Sequence, residues 1–252
     1  MASQIILHPY VNDSLKVAAT TVGRDKVYRS VQYAARFLAW YYAKSGYSKE
    51  AISQMSAIKS ALATTRKVMR LGKPIEHLQA ALKAQSIADP ILKFTAIIRQ
   101  LGYAAYLAND HLVWAHSAKI KIFAKDKAAR IGRNANRAWA IGIAASIVSG
   151  LYKLQSIQAR SKAALTPKNT PEKESDRKIE LKTLMKQYKD TRFQLIQDLF
   201  DFTLPMTNLG YFGFNEGVLG LAGLASSLMG LSTQANKVLG SGGKVLSGNN
   251  QN

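Results

Sequence analysis

No cysteine occurs in this 252-residue chain. That excludes disulfides, cysteine nucleophiles and cysteine-ligated metals, and it fits a protein that never needs oxidative folding. Acidic residues are scarce: 15 Asp and Glu stand against 35 Lys and Arg, a formal net charge of +20. So large an excess calls for an anionic partner, whether nucleic acid, acidic protein or a membrane surface. No period-two pattern of useful length appears, so the chain reads as all-α. Catalytic constellations are missing too. No Gly-Lys-Ser/Thr stands in a Walker context and no serine in a nucleophile elbow. His111 and His116 are five residues apart, off the four-residue zinc spacing. The expectation is a non-enzyme without metal or cofactor. Ile5-Ile6-Leu7 is stopped by His8-Pro9, short of a secretory signal, and Asn249–Asn252 is no Ser-Lys-Leu-type address. Membrane targeting, if any, is expected to be internal.

What is present is a strongly two-faced stretch from Ile58 to Lys83. As a helix it places Val68, Leu71, Ile75, Leu78 and Leu82 within an arc of roughly 80°. Arg66, Arg70, Lys73 and His77 cluster on the opposite side. A narrow apolar stripe backed by cations suits the surface of an anionic bilayer, with Arg66, Lys67, Arg70, Lys73 and Lys83 as headgroup ligands. It equally suits a helix of a soluble bundle whose cations face water. Pro74 removes a backbone hydrogen bond, and the unbroken stripe register predicts a kink there rather than a break.

Around this stretch the chain is a series of helices. Asp13 is placed to cap the first, and Gly23 to interrupt it. Asp25 then caps a continuation to about Ala43, with Val27, Val31, Ala34, Leu38 and Tyr41 at helical spacing. Ser45-Gly46 reads as a stop, and Glu50 as the beginning of the next helix. Asp89-Pro90 is a cap followed by a first-turn proline, opening a long helix. Its Lys93, Arg99, Asn109, Asp110 and His111 make it a poor candidate for a lipid-exposed span. The cationic run Lys119–Arg137 carries no nucleic-acid-binding signature. It reads as a juxtamembrane segment ahead of the uncharged block Ala138–Tyr152. That block spans roughly 22 Å as a helix, short of the ~30 Å hydrocarbon core, so it also suits a buried core helix. Arg160–Glu180, with Pro167, Pro171 and dense mixed charge, reads as a flexible linker. A helix over Ile179–Phe202 follows, interrupted by Pro205. Gly217–Asn236 is a second uncharged block, about 30 Å long as a helix. Gly220, Gly223, Ser227 and Gly230 line one of its faces, a small-residue seam for close helix packing within or between chains. The tail after Lys237 reads as mobile.

The expected architecture is a bundle of long amphipathic helices with one or two membrane segments in the C-terminal half. The regions are an N-terminal amphipathic helical region 1–159, the charged linker 160–180, a C-terminal helix plus Gly/Leu-rich membrane segment 181–236 and the tail 237–252.

Four segments in order resemble the peroxin-11 family in its fungal form. They are Asp25-Lys26-Val27-Tyr28-Arg29 with Gln32-Tyr33 and Ala35-Arg36-Phe37-Leu38; Arg66-Lys67-Val68-Met69-Arg70-Leu71-Gly72-Lys73-Pro74; Tyr106-Leu107-Ala108-Asn109-Asp110-His111-Leu112; and the Gly/Leu block Gly217–Leu231. The resemblance covers nearly the whole chain. It implies a peroxisomal membrane protein that inserts an amphipathic helix into the outer leaflet, oligomerises and elongates the organelle before fission. It further implies a homo-oligomer, a dynamin-related GTPase and fission adaptor as partners, and both termini in the cytosol. On this chain the remodelling helix falls on Ala61–Lys83 and the C-terminal membrane segment on Gly217–Leu231. A pore for small metabolites is the alternative, with Asn109 and Asp110 as lining candidates.

Overall fold

The computed structural model describes residues 6–165 and 171–246. Eight α-helices make up most of them: α1 Pro9–Ala19, α2 Thr21–Lys44, α3 Lys49–Met69, α4 Lys73–Lys83, α5 Pro90–Ser117, α6 Lys125–Leu165, α7 Pro171–Asn208 and α8 Glu216–Leu246. No strand occurs among the described residues, which agrees with the all-α reading. Helix starts follow side-chain capping chemistry. The Thr20 side chain accepts from Gly23 N, Ser48 from Ala51 N, and Asp89 from Leu92 N, each relieving an orphan amide. The first junction therefore lies at Thr20, and Gly23 sits inside α2. Pro205 does not interrupt either: its buried ring is carried within α7 to Asn208.

The chain divides into two compact units, Met1–Leu71 with Gly213–Asn252, and Gly72–Phe212. The first unit joins the two ends of the chain because α8 packs along α2. In the first unit α2 is central, with α3 and α8 against it. In the second, α4 packs on α5, α5 on α6, and α6 on α7. Helices α5 and α6 run antiparallel. Tyr152 Oη donates to Asp89 Oδ2 at 2.8 Å, and Tyr106 stacks on Trp139 at 5.0 Å. Between these contacts a Cβ on Gly102 would lie 2.8 Å from the Cα of Gly142, so the crossing requires glycine.

Among the described residues, two helices are long and apolar enough to cross a membrane, α6 and Glu216–Gly240 of α8. The uncharged block Ala138–Tyr152 is the middle of a 41-residue helix, so its short length does not limit its reach. The expected linker is mostly helical: α6 runs to Leu165 and α7 starts at Pro171. Its residues 166–170 lie outside the described residues. Of the expected mobile tail, α8 takes the part up to Leu246, and 247–252 lie outside the described residues.

Candidate membrane-binding site

The amphipathic stretch is two helices. Helix α3 ends at Met69 and α4 begins at Lys73, with Gly72 between them at φ +84°. The expected kink at Pro74 is thus a full break two residues earlier. Left-handed backbone is what glycine tolerates and other residues resist, and Pro74 then stands in the first turn of α4, where its missing N–H costs nothing. Helix α3 belongs to the first unit and α4 to the second.

Helix α4 turns its apolar stripe outward. Ile75, Leu78 and Leu82 are 63%, 47% and 66% exposed, while Ala81 is buried. His77 faces α5: its ring stacks on Tyr103 at 5.4 Å and its Nδ1 lies 2.6 Å from Gln100 Oε1, whereas Glu76, Gln79 and Lys83 are exposed. Lys73 bonds Glu76 at 2.6 Å. On the α3 side of the break, Val68 and Leu71 are also exposed.

Helix α5 does the same over a longer distance. Its Ile91, Phe94, Ile98, Leu101 and Leu112 all point outward, whereas Thr95 and Asp110 are buried and Arg99 and Gln100 half-buried. Of the polar residues that argued against lipid contact, Asp110 is thus buried, and Lys93, Asn109 and His111 are half-buried like Arg99. Asn109 donates to the Ala105 carbonyl of its own helix at 2.8 Å.

Among the predicted headgroup ligands, Arg66 faces inward. It is 7% exposed, and its Nε donates to Asp25 Oδ1 at 3.0 Å and its Nη1 to Gln32 Oε1 at 2.7 Å. A cation spaced with Arg70 and Lys73 along the helix falls on the inner side because an acid on α2 meets it. Lys83 is exposed, and Lys67, Arg70 and Lys73 are half-buried. Burial pushes the Asp25 carboxyl up, but the charges of Arg66 and Arg70 and the Arg66 hydrogen bonds outweigh it, so it titrates below the ordinary carboxylate range. Its contribution to stability is present above that range and lost as pH falls through the lowered value.

The small-residue seam is occupied within the chain. Gly217 lies against Trp40, Gly220 against Phe37, Gly223 against Tyr33 and Gly230 against Lys26. Ser227, fully buried, donates to the Gly223 carbonyl. Of the two placements expected for the seam, the structure shows the one within the chain, against α2. Positions 217, 220, 223 and 230 of α8 meet 40, 37, 33 and 26 of α2 in reverse order, so bulky residues at 33, 37 and 40 complement the glycines. That complementarity was the signal available to find this pairing. The bidentate Arg36–Glu216 pair, at 2.9 and 2.6 Å, closes one end. On its outer side α8 exposes Val218, Leu221 and Leu228.

A buried carboxylate, Asp198, escaped sequence reading. Ser146 Oγ donates to it at 2.5 Å and Gln194 Nε2 at 2.9 Å, and burial pushes its carboxyl up. A raised value means that the stabilisation gained from holding the proton is complete below the ordinary carboxylate range and is lost as pH rises through the raised value. Asp198→Asn is therefore expected to raise the melting temperature at about pH 7, with the difference from wild type vanishing near pH 3.5. Equal melting temperatures at both pH values would show that the ionised group carries no penalty.

Three comparisons bear on identity. The profile of the family described as Peroxisomal biogenesis factor 11 matches residues 11–235. The peroxisomal membrane protein PMP30B of Candida boidinii is 28% identical over 244 residues, spanning 90% of this chain and 95% of its own. The peroxisomal membrane protein PMP27 of Saccharomyces cerevisiae is 28% identical over 233 residues, with the same coverage. Peroxisomal biogenesis factor 11 of Schizosaccharomyces pombe is 25% identical over 235 residues, spanning 89% and 94%. No solved structure matches the chain. With the profile matched over most of its length, the chain belongs to the peroxisomal biogenesis factor 11 family.

Proposed function

We propose that this chain acts at the peroxisomal membrane, where α4 inserts into the outer leaflet as a wedge, and that oligomers of it elongate the membrane ahead of division. One observation carries the reading: Ile75, Leu78 and Leu82 face outward while His77 and Ala81 face the protein. A soluble bundle helix has the opposite arrangement. The outward stripe of α5 enlarges the apolar surface beside it. At about 25 cal/mol per Å² of apolar area removed from water, three such side chains supply several kcal/mol of insertion free energy. Lys67, Arg70, Lys73 and Lys83 add roughly 1 kcal/mol each near an anionic surface. Widening one leaflet favours positive curvature. The relatives' names place them in the peroxisomal membrane, and we assign the same location here, with both termini cytosolic. A dynamin-related GTPase and its adaptor are assigned as partners on the family resemblance alone.

The test is reconstitution of the full chain with vesicles. Anionic vesicles are expected to tubulate and neutral phosphatidylcholine vesicles to stay spherical. Spherical vesicles in both cases would defeat the wedge.

A further inference from the structure

We propose that Asp25 occupies, within the chain, the place that a phosphate-bearing lipid headgroup takes on Arg66 and Arg70, so that α3 is clamped to α2 until an anionic membrane displaces the carboxylate. The inference rests on the membrane-binding reading and adds its regulation.

Its basis is the arrangement of charge on the inner side of α3. Arg66 is the buried cation of that helix and spends three of its donors across the α2 interface: two on Asp25, at 3.0 and 3.4 Å, and one on Gln32. Arg70, one turn on, donates its Nε to the Arg66 carbonyl at 3.2 Å. Arg29, also buried, lies with its guanidinium 5.2 Å from the Tyr33 ring. Lys26, Arg66 and Arg70 all act electrostatically on Asp25, so one carboxylate stands among several cations. A headgroup phosphate offers more negative charge and more acceptor oxygens than a carboxylate, in a form that guanidinium groups bind in pairs. The clamp lies immediately before the left-handed Gly72, so α3 can leave α2 without deforming α4. A second tie holds the middle of the same helix, where Lys59 approaches Glu216 at 3.9 Å. That pair is half-exposed, and salt and water screen it.

The absence of native cysteine makes the test direct. Val31→Cys on α2 and Thr64→Cys on α3, both exposed, carry spin labels in the full chain, and the distance between them is read by pulsed electron resonance. In phosphatidylcholine vesicles a single short distance is expected. Phosphatidic acid vesicles are expected to shift most of the population to a longer one. Asp25→Asn should show the longer distance already in phosphatidylcholine. An unchanged distribution for wild type between the two vesicles overturns the proposal, as does a short distance kept by Asp25→Asn in phosphatidylcholine. Opening by inorganic phosphate alone overturns the lipid as the ligand. Tubulation read on the same samples separates the two readings: opening without tubulation removes the wedge and leaves the clamp.

Discussion

Glutamate at both Leu78 and Leu82 is expected to abolish vesicle tubulation and to weaken binding to anionic vesicles by a hundredfold or more. Each leucine returned from lipid to water costs about 1.5–3 kcal/mol, so the pair removes roughly 3 kcal/mol or more before the repulsion of two added carboxylates is counted. Both side chains are exposed in the structure, so the fold loses little. Helix content and melting temperature in detergent are expected to match wild type, and Leu78→Met with Leu82→Met to retain binding. Co-sedimentation with vesicles gives the affinity and electron microscopy the tubules. If the glutamate pair binds and tubulates like the native chain, α4 is not the inserting helix.

The other large effect is structural. At Gly220 an added Cβ would meet the backbone nitrogen of Phe37 at 2.7 Å and its Cα at 2.8 Å. Backbone cannot move aside as a flexible side chain does. Gly220→Leu must therefore push α8 away from α2, at about 2–3 kcal/mol, or roughly 5–10 °C in melting temperature. Gly132 provides the contrast: nothing lies within 4 Å of its added Cβ. There alanine is expected to stabilise α6 by about 0.5–1 kcal/mol through helix propensity alone. Thermal unfolding followed by circular dichroism measures both. A Gly220→Leu chain that melts with the native one would mean that the α2–α8 seam does not hold the first unit together.

Much of this could be read from the residues in order. Asp89-Pro90 opens a helix because a carboxylate cap and a pre-set φ act within one turn, and both are local. The two uncharged blocks and the face of Gly220, Gly223, Ser227 and Gly230 follow from spacing alone. Spacing says which residues share a face, however, and not what that face meets. Arg66 belonged by period to a solvated cationic side, yet Asp25, 41 residues earlier, draws it inward. On α5, Arg99 and Asp110 suggested a helix unsuited to lipid, although the bundle covers that side and leaves Phe94 and Leu101 outside. The break at Gly72 was hidden behind a more conspicuous Pro74, because proline in a first turn looks the same in sequence as proline in mid-helix.

The shortness of α4 sets the scale on which it works. Its 11 residues extend about 16 Å with a width near 10 Å, a footprint of roughly 160 Å². One such insertion displaces few lipids, and its curvature dissipates into the surrounding sheet. On the proposed wedge, elongation therefore scales with the number of copies per unit area of membrane, and the length of a tubule reports how densely its surface is populated.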